Sequence, residues 1–131
     1  MPQDNLEIVR RVYEAMNDRD SDRLGDLTHP DLTWVPDKRV GHGPVHGRER
    51  VYEFFNDRAE MFDELRVEVE RLFECDDRVV AFIKTVGRGH ASGVEVDIRI
   101  GHVWTIRDGL VVRGEGYGDR TRALQAAGLS E

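Results

Sequence analysis

The sequence predicts an α+β fold, in which helices pack on one face of a curved β-sheet. Apolar residues recur at helical spacing through most of the first half of the chain, and they alternate with polar residues from about residue 65 onward. The predicted element order is α-α-β-α-β-β-β-β-α. Helices followed by a run of antiparallel strands are typical of this fold class.

The chain of 131 residues, 39% of them hydrophobic, is long enough for one domain with its own core, so residues 1–131 are expected to form a single domain. No apolar run reaches the roughly 20 residues of a membrane span, and the start "MPQDNLEIVRR" lacks the apolar core of a signal peptide. We therefore expect a cytoplasmic protein.

The charge and the cysteine content argue against a nucleic-acid-binding surface, an internal disulfide and a zinc site. The net charge of −7 is spread without basic runs, which argues against a nucleic-acid-binding surface. Cys75 is the single cysteine, so it can form neither an internal disulfide nor a zinc motif. We expect an inert thiol that is buried or half-buried.

The first two predicted elements are helices. "DNLEIVRRVYEAM" begins with a capping-box pattern, Asp4 followed by Glu7, and its apolar stripe continues to about Asn17. That stripe consists of Leu6, Val9, Tyr13 and Met16. A second, short helix starts at Asp20 or Ser21 and is predicted to stop at His29-Pro30.

A strand, a loop and a third helix follow. Residues 31–35, "DLTWV", are predicted as a short strand ended by Pro36. Residues 37–47 contain three glycines, a proline and two histidines, which is typical of an irregular loop. From Arg48 to about Phe62, apolar residues return at helical spacing and predict the third helix.

Four strands and a last helix complete the prediction. "LRVEVERLF", "DRVVAFIKTVG" and "GVEVDIRIGHVWTI" are strand patterns, and Asp108-Gly109 is a hairpin turn into "LVVRGEGYG". Asp119 is predicted to cap the final helix, and Gly128 to end it.

His102 is the one strongly polar side chain in a row that is otherwise apolar. Alternation places it on the inward face of its strand with Ile98, Ile100, Trp104 and Ile106. Two interpretations remain open at this point: a core histidine whose hydrogen bonds are satisfied by a neighbour, or a polar group in a ligand pocket.

The order of these segments resembles the SnoaL-like group of the nuclear transport factor 2-like superfamily. The resemblance rests on "NLEIVRRVYEAMNDRDSDRLGDLTHPDLTWV", "HGRERVYEFF" and "GHVWTIRDGLVVR" and covers almost the whole chain. It implies a cone-shaped antiparallel or mixed sheet wrapped around a long helix, a deep apolar cavity, and a homodimer formed through the outer sheet face. Related proteins include polyketide cyclases, ketosteroid isomerases and non-catalytic binders, so the fold alone does not name a reaction.

Similarity to the ketosteroid isomerases implies where the ligand would bind. His102 falls at the position of their oxyanion-stabilising acid, and Phe55 at that of a pocket aromatic. The same register turns Gly114, Gly116 and Gly118 toward the cavity. We expect these glycines to widen it beside His102, although a bulged or frayed edge strand would also explain them.

The catalytic pattern of the isomerases is only partly present. Their base position is Pro36, with Asp37 one residue further on, and their helix tyrosine position is Val12, with Tyr13 adjacent. A shift of one residue turns a strand side chain to the opposite face. Asp37 and Glu115 are nevertheless candidates for an acid/base carboxylate.

The other candidate ligand contacts are Trp34, Trp104 and Arg58, although Trp34 could equally be a packing residue and Arg58 could pair with Asp57 or Glu60. His42 and His46 lack a third ligand at metal-binding spacing, so no metal is expected.

The sequence therefore predicts a homodimer, without cofactor, that binds a small and mostly apolar molecule. Turnover by general acid/base chemistry with His102, alone or with Asp37, is one possibility, and binding without turnover is the other.

Overall fold

The computed structural model describes residues 4–129 and confirms the predicted α+β class. Within this range the chain forms four α-helices around a six-stranded sheet. The helices are α1 (Asn5–Asn17), α2 (Ser21–Leu27), α3 (Arg48–Ala59) and α4 (Arg120–Ala126). The strands are β1 (Thr28–Val35), β2 (Val45–His46), β3 (Phe62–Cys75), β4 (Arg78–Gly89), β5 (Glu95–Arg107) and β6 (Leu110–Tyr117).

The sheet is mixed and has the order β2-β1-β6-β5-β4-β3. β1 runs parallel to β6, and every other neighbouring pair is antiparallel. The long strands β3, β4 and β5 follow one another through short turns. The turn between β5 and β6 has positive φ at both Asp108 (52°) and Gly109 (78°), as the Asp-Gly signal predicts.

Helix α1 ends at Asn17 as predicted, but its N-terminus is not a capping box. The Asp4 carboxylate accepts a hydrogen bond from the Leu6 backbone N–H at 3.0 Å. Glu7 instead pairs with Arg11 one turn later, at 3.1 Å. The buried face of α1 supplies the centre of the core with Ile8, Val9, Val12, Tyr13 and Ala15.

Two boundaries differ from the sequence prediction because β1 begins earlier than expected. α2 ends at Leu27, and Pro30 lies inside β1 rather than after a helix. Proline has no N–H to donate to a neighbouring strand, and the β1–β6 register is irregular between Thr28 and Thr33, around this proline. The predicted loop contains a 3₁₀ turn (Lys38–Val40) and the two-residue strand β2.

The edge strand β3 is attached to the end of α1 by one amide side chain. α3 ends at Ala59, three residues short of the predicted end, and Phe62 already belongs to β3. The Asn17 side chain donates to the Val67 carbonyl and accepts from the Val67 N–H, both at 2.8 Å. An edge strand otherwise presents unpaired backbone groups, so Asn17 continues the hydrogen bonding of the sheet onto the helix.

Both faces of the sheet are covered where β4 meets β5. On the inner face, core residues of α1 and the strands include Val79, Ala81, Ile83, Trp104 and Ile106. On the outer face, α4 lays Ala123, Leu124 and Ala127 on Val80 and Val103.

Gly101 lets α4 approach the sheet, because a Cβ at this position would lie 2.7 Å from the Ala123 Cβ. Val103 on the outer face of β5 is thereby fully buried under α4.

Replacing Asn17 with alanine should destabilise the fold by about 1–3 kcal/mol, because the Val67 N–H and C=O would lose their partners in a partly buried position. Asn56→Ala, on the exposed side of α3, should change the free energy of unfolding by less than about 0.5 kcal/mol. Urea denaturation of both variants measures these changes in the free energy of unfolding. Equal stability of the two variants would show that the Asn17 amide contributes nothing.

Candidate functional site

His102 lies on the inner face of β5, as the alternation of the sequence predicts. Its neighbours across the sheet are Ala81 on β4 and Gly116 on β6. The residue is 5% exposed, so the imidazole is almost wholly surrounded by protein. A buried ring nitrogen without a partner would be costly, so its hydrogen bonds decide what the residue can do.

The Tyr13 hydroxyl on α1 connects His102 to the Trp104 indole through two hydrogen bonds. The Tyr13 hydroxyl lies 2.7 Å from His102 Nδ1, and Trp104 Nε1 donates to the same hydroxyl oxygen at 2.8 Å. All three side chains are buried. This arrangement links α1 to two successive inward positions of β5.

Tyr13 is one residue away from the expected tyrosine position, and the sequence does not predict its hydrogen bond to His102. The available signal was its place on the apolar stripe of α1, since a buried hydroxyl needs a partner.

The second nitrogen of His102 has no hydrogen-bond partner among residues 4–129. Every fully enclosed side-chain nitrogen or oxygen in this part of the chain has a partner. Nε2 must therefore reach accessible space. The same reasoning applies to Trp34 Nε1, which also has no protein acceptor within the described range. Two polar nitrogen atoms of the cluster therefore have no partner in the described part of the protein.

Burial controls the ionisation of this cluster. Desolvation lowers the pKa of His102 to about 3, so the imidazole is neutral at physiological pH. Desolvation also raises the pKa of Tyr13, which remains a neutral hydroxyl. A neutral imidazole with so low a pKa is a poor general base at neutral pH but remains a competent hydrogen-bond donor.

Aromatic rings surround the imidazole. The Trp34 ring lies edge-on to His102 with centroids 5.0 Å apart, and edge-on to Phe55 at 4.9 Å. Trp104 lies 5.5 Å from Trp34 and 5.7 Å from His102. Of the predicted ligand contacts, Trp34 and Trp104 thus lie beside His102, and Phe55 packs on the other side of Trp34.

The glycines of β6 serve a different purpose from the predicted one. A Cβ on Gly114 would lie 2.6 Å from atoms of both Trp34 and Trp104, and one on Gly116 would lie 3.1 Å from Trp34. Indole rings, not empty space, therefore occupy the volume that these glycines leave. The expectation that they widen a cavity is wrong.

Gly118 and Asp37 form a structural contact beyond the end of β1. The Asp37 carboxylate accepts hydrogen bonds from the backbone N–H groups of Arg39 and Gly118, and a side chain at Gly118 would overlap the Arg39 guanidinium. Burial works to raise the pKa of Asp37, but these N–H groups and the Arg39 charge outweigh it and lower the pKa. Asp37 has no hydrogen bond to His102, and its acid/base role stays a prediction without geometric support.

Two concavities of the described part of the chain lie away from His102. Their volumes are about 320 and 440 Å³. The first lies over β1, β5 and β6 and includes Arg78, Arg113 and Glu115, and the second lies between α4 and the end of β1. Neither is lined by His102. Beside His102, the expected widening at Gly114 and Gly116 is occupied by the indole rings of Trp34 and Trp104.

The remaining candidates lie apart from His102. The Arg58 guanidinium stacks 4.3 Å from the centroid of Phe54, and in the described part of the chain it makes no ion pair with Asp57 or Glu60. Glu115 lies on the outer face and accepts a hydrogen bond from the Tyr117 hydroxyl at 2.8 Å.

The loop histidines His42 and His46 are exposed. His42 Nδ1 lies 2.7 Å from the Gly43 carbonyl, and His46 Nδ1 lies 3.2 Å from the Thr33 hydroxyl. Among residues 4–129 no three histidine, cysteine or acidic side chains come together as metal ligands. Cys75 is free and half-buried.

Family comparison places this arrangement in a known group. The family model described as "SnoaL-like domain" matches residues 9–114. The chain belongs to the SnoaL-like family. The matched region includes Tyr13, Trp34, His102 and Trp104, and it ends at Gly114. No curated protein matches the sequence significantly.

Solved structures of the same fold are numerous, and three illustrate the likeness. IdmH of Streptomyces antibioticus, a candidate polyketide cyclase, is 19% identical over 97% of this chain and 100% of its own, with a TM-score of 0.80. TerC, co-crystallised with polyporic acid, is 26% identical over 95% and 98%, with a TM-score of 0.78. A ketosteroid isomerase-like protein of Catenulispora acidiphila in complex with trimethylamine is 19% identical over 94% and 93%, with a TM-score of 0.76.

These likenesses confirm the nuclear transport factor 2-like fold of this SnoaL-like protein. No helix in the described range is long and apolar enough to cross a membrane.

The glycine at position 114 should be required for packing against the two indoles. Gly114→Ala places a methyl group 2.6 Å from Trp34 and Trp104 and should destabilise the protein by about 1–3 kcal/mol. Gly25→Ala, in α2 with no atom within 4 Å of the added Cβ, should stabilise it by about 0.5–1 kcal/mol. Thermal unfolding of both variants measures the contrast. If Gly114→Ala left the stability unchanged, the two indoles would have to shift at little energetic cost.

His102 should make the fold sensitive to acid. Between about pH 6.5 and pH 3 the unfolded chain binds a proton on this residue while the folded protein does not, so stability falls as pH falls. The slope should be about 1.4 kcal/mol per pH unit well inside this window. Urea titrations from pH 7 to pH 4.5 should show a shallower fall for His102→Phe, in which the other titrating groups are unchanged. Parallel curves would indicate that His102 is protonated in the folded state.

Proposed function

We propose that this SnoaL-like protein binds a small, mostly apolar molecule against the inner face of the sheet, with His102 as its polar contact. The observation that carries the proposal is the free Nε2 of a neutral, nearly buried imidazole within an aromatic cluster. Binding sites for small molecules commonly combine apolar walls with a few placed polar groups.

The open end of the inner face offers an apolar surface leading to His102. Ile98 lies on the same face of β5 and is 51% exposed, and Ile100 between them is half-buried. Phe54 and Phe55 on α3 are also half-buried and pack against the same core. A ligand that enters here would cover exposed apolar area and could displace the Phe55 ring.

Relatives of this fold bind small molecules, which supports the proposal. TerC was crystallised with polyporic acid and the Catenulispora acidiphila protein with trimethylamine. The low identity of the second protein makes it evidence for the fold alone, so the argument for a ligand at His102 rests on the geometry of this chain.

Catalysis is a second candidate function, because a neutral imidazole N–H could stabilise negative charge that develops on a carbonyl, enol or epoxide oxygen. Such chemistry would be of the isomerase, cyclase or hydrolase type and would need no cofactor. Against it, no carboxylate within the described range is hydrogen-bonded to His102, and the lowered pKa makes that residue a weak base. We therefore favour binding without turnover.

Replacement of His102 should separate ligand binding from stability. His102→Phe keeps the approximate shape of the ring, so we expect a folded protein within about 1.5 kcal/mol of the parent at pH 7. Affinity for an aromatic ketone such as 2-acetylnaphthalene, measured by NMR titration, should fall at least tenfold, or about 1.4 kcal/mol. His46→Phe, at an exposed loop position, should bind as the parent does. Unchanged affinity with a large loss of stability would make His102 purely structural.

We also propose that two copies associate through the part of the outer sheet face that α4 leaves uncovered. This surface carries both charge signs, in Arg78, Arg107 and Arg113 and in Asp77 and Glu115. A self-complementary two-fold interface can pair such opposite charges across the axis.

Light scattering should then give about twice the 15.0 kDa mass of one chain at micromolar concentration. Arg113→Glu should shift the protein toward monomer by placing like charges together. Arg10→Glu, on the exposed side of α1, should have no such effect. A monomeric mass for the parent chain would contradict this proposal.

A further inference from the structure

The donor and acceptor roles of the atoms around His102 are fixed, and they restrict which polar group a ligand can present to this residue. Resting on the function proposed above, we infer that the ligand presents a hydrogen-bond acceptor to His102 Nε2, and that Tyr13 is the positioning residue that imposes this requirement. Trp104 donates to the Tyr13 oxygen and helps to hold the hydroxyl in place. This requirement follows from which atoms of the three side chains can donate a hydrogen bond and which can accept one.

The Trp104 indole N–H is the donor at one end of this chain of hydrogen bonds. An indole nitrogen can only donate, so the Trp104 N–H occupies an acceptor position on the Tyr13 oxygen. The single hydroxyl proton of Tyr13 remains available, and the nearest atom that can accept it is His102 Nδ1, at 2.7 Å. Nδ1 must therefore be the unprotonated nitrogen of the ring.

The opposite tautomer would leave a buried donor without an acceptor. If Nδ1 carried the proton, the Tyr13 oxygen would face two N–H groups, from Trp104 and from His102. Its own hydroxyl proton would then have no partner in the described range, at a position that is 1% exposed. A neutral His102 accordingly carries its proton on Nε2, the atom that reaches accessible space.

The second nitrogen of the cluster that reaches accessible space is also a donor. Trp34 Nε1 has no protein acceptor within residues 4–129, and the ring centre of Trp34 lies 5.0 Å from that of His102. Both polar groups that the cluster presents can donate but cannot accept. The site therefore suits a carbonyl, quinone or enolate oxygen at the buried end of the ligand. It disfavours an ammonium group there, because an ammonium group can only donate.

The first measurement is the tautomer of the ligand-free protein. Long-range ¹H–¹⁵N correlation on ¹⁵N-labelled protein at pH 7 should show His102 with an unprotonated Nδ1 and a protonated Nε2. Tyr13→Phe removes the donor to Nδ1 and should produce a mixture of tautomers. Trp104→Phe leaves the Tyr13–His102 bond in place and should retain the parent tautomer.

The second measurement compares two probes of nearly equal shape. 2-Acetylnaphthalene has a carbonyl oxygen where 2-isopropenylnaphthalene has a methylene group, so only the first offers an acceptor. The parent protein should prefer the ketone at least tenfold by NMR titration, and Tyr13→Phe should reduce this preference below threefold. Tyr52→Phe is the matched control, because the Tyr52 hydroxyl bonds Thr28 instead, and it should keep the parent preference.

The outcomes separate this inference from the proposed function. If the ketone binds but the parent His102 carries its proton on Nδ1, or if both probes bind equally, ligand binding stands and the acceptor requirement is wrong. If neither probe binds while the proton lies on Nε2, the proposed binding function is wrong, and the acceptor requirement fails with it. If Tyr13→Phe does not fold, the tautomer of the parent protein and its preference between the two probes still test the acceptor requirement.

Discussion

The Tyr13 hydroxyl is the polar contact on which the inner core of this protein depends. It lies between the Trp104 indole and the His102 imidazole, and it is the point where α1 is hydrogen-bonded to β5. Three polar groups in an apolar interior are tolerable because each satisfies another. Removing the hydroxyl would leave two ring nitrogens in the core without their partner, so the three side chains form one unit.

Packing around this unit explains the unusual last strand. Trp34 stands between the imidazole and β6, and its indole occupies the volume above Gly114 and Gly116. Larger residues on β6 would push Trp34 toward His102 and alter the ring arrangement. The glycines therefore contribute to the site indirectly, because they allow the Trp34 indole to lie against the sheet. His102 Nε2 is the nitrogen of the imidazole that has no partner in the Trp104–Tyr13–His102 network.

The outer face of the sheet has two different parts. α4 covers Val80 and Val103, while Arg120 attaches this helix to the sheet through the Ile83 and Ile100 carbonyls and through Glu70. The uncovered part carries alternating charges around Arg113 and Glu115. A partner copy, if it binds here, would meet a polar surface rather than the apolar one that α4 already occupies.

The sequence by itself determined the fold class, because the change from helical spacing to alternation is a local signal that each segment carries independently. It also determined the end of α1 at Asn17, the Asp108-Gly109 turn and the inward position of His102. Each of these follows from the backbone geometry of neighbouring residues. Family resemblance added the antiparallel or mixed sheet, and the structure shows a mixed one.

The tertiary structure alone decided how the site is built. Tyr13 is 89 positions away from His102 in the chain, and no local pattern reports that their side chains meet. Whether Gly114 opens a space or receives an indole likewise depends on Trp34, which lies on a parallel neighbouring strand. The pKa of His102 and the availability of Nε2 follow from the groups that surround the ring. Such contacts arise from packing between distant segments, and the spacing of residues along the chain does not encode them.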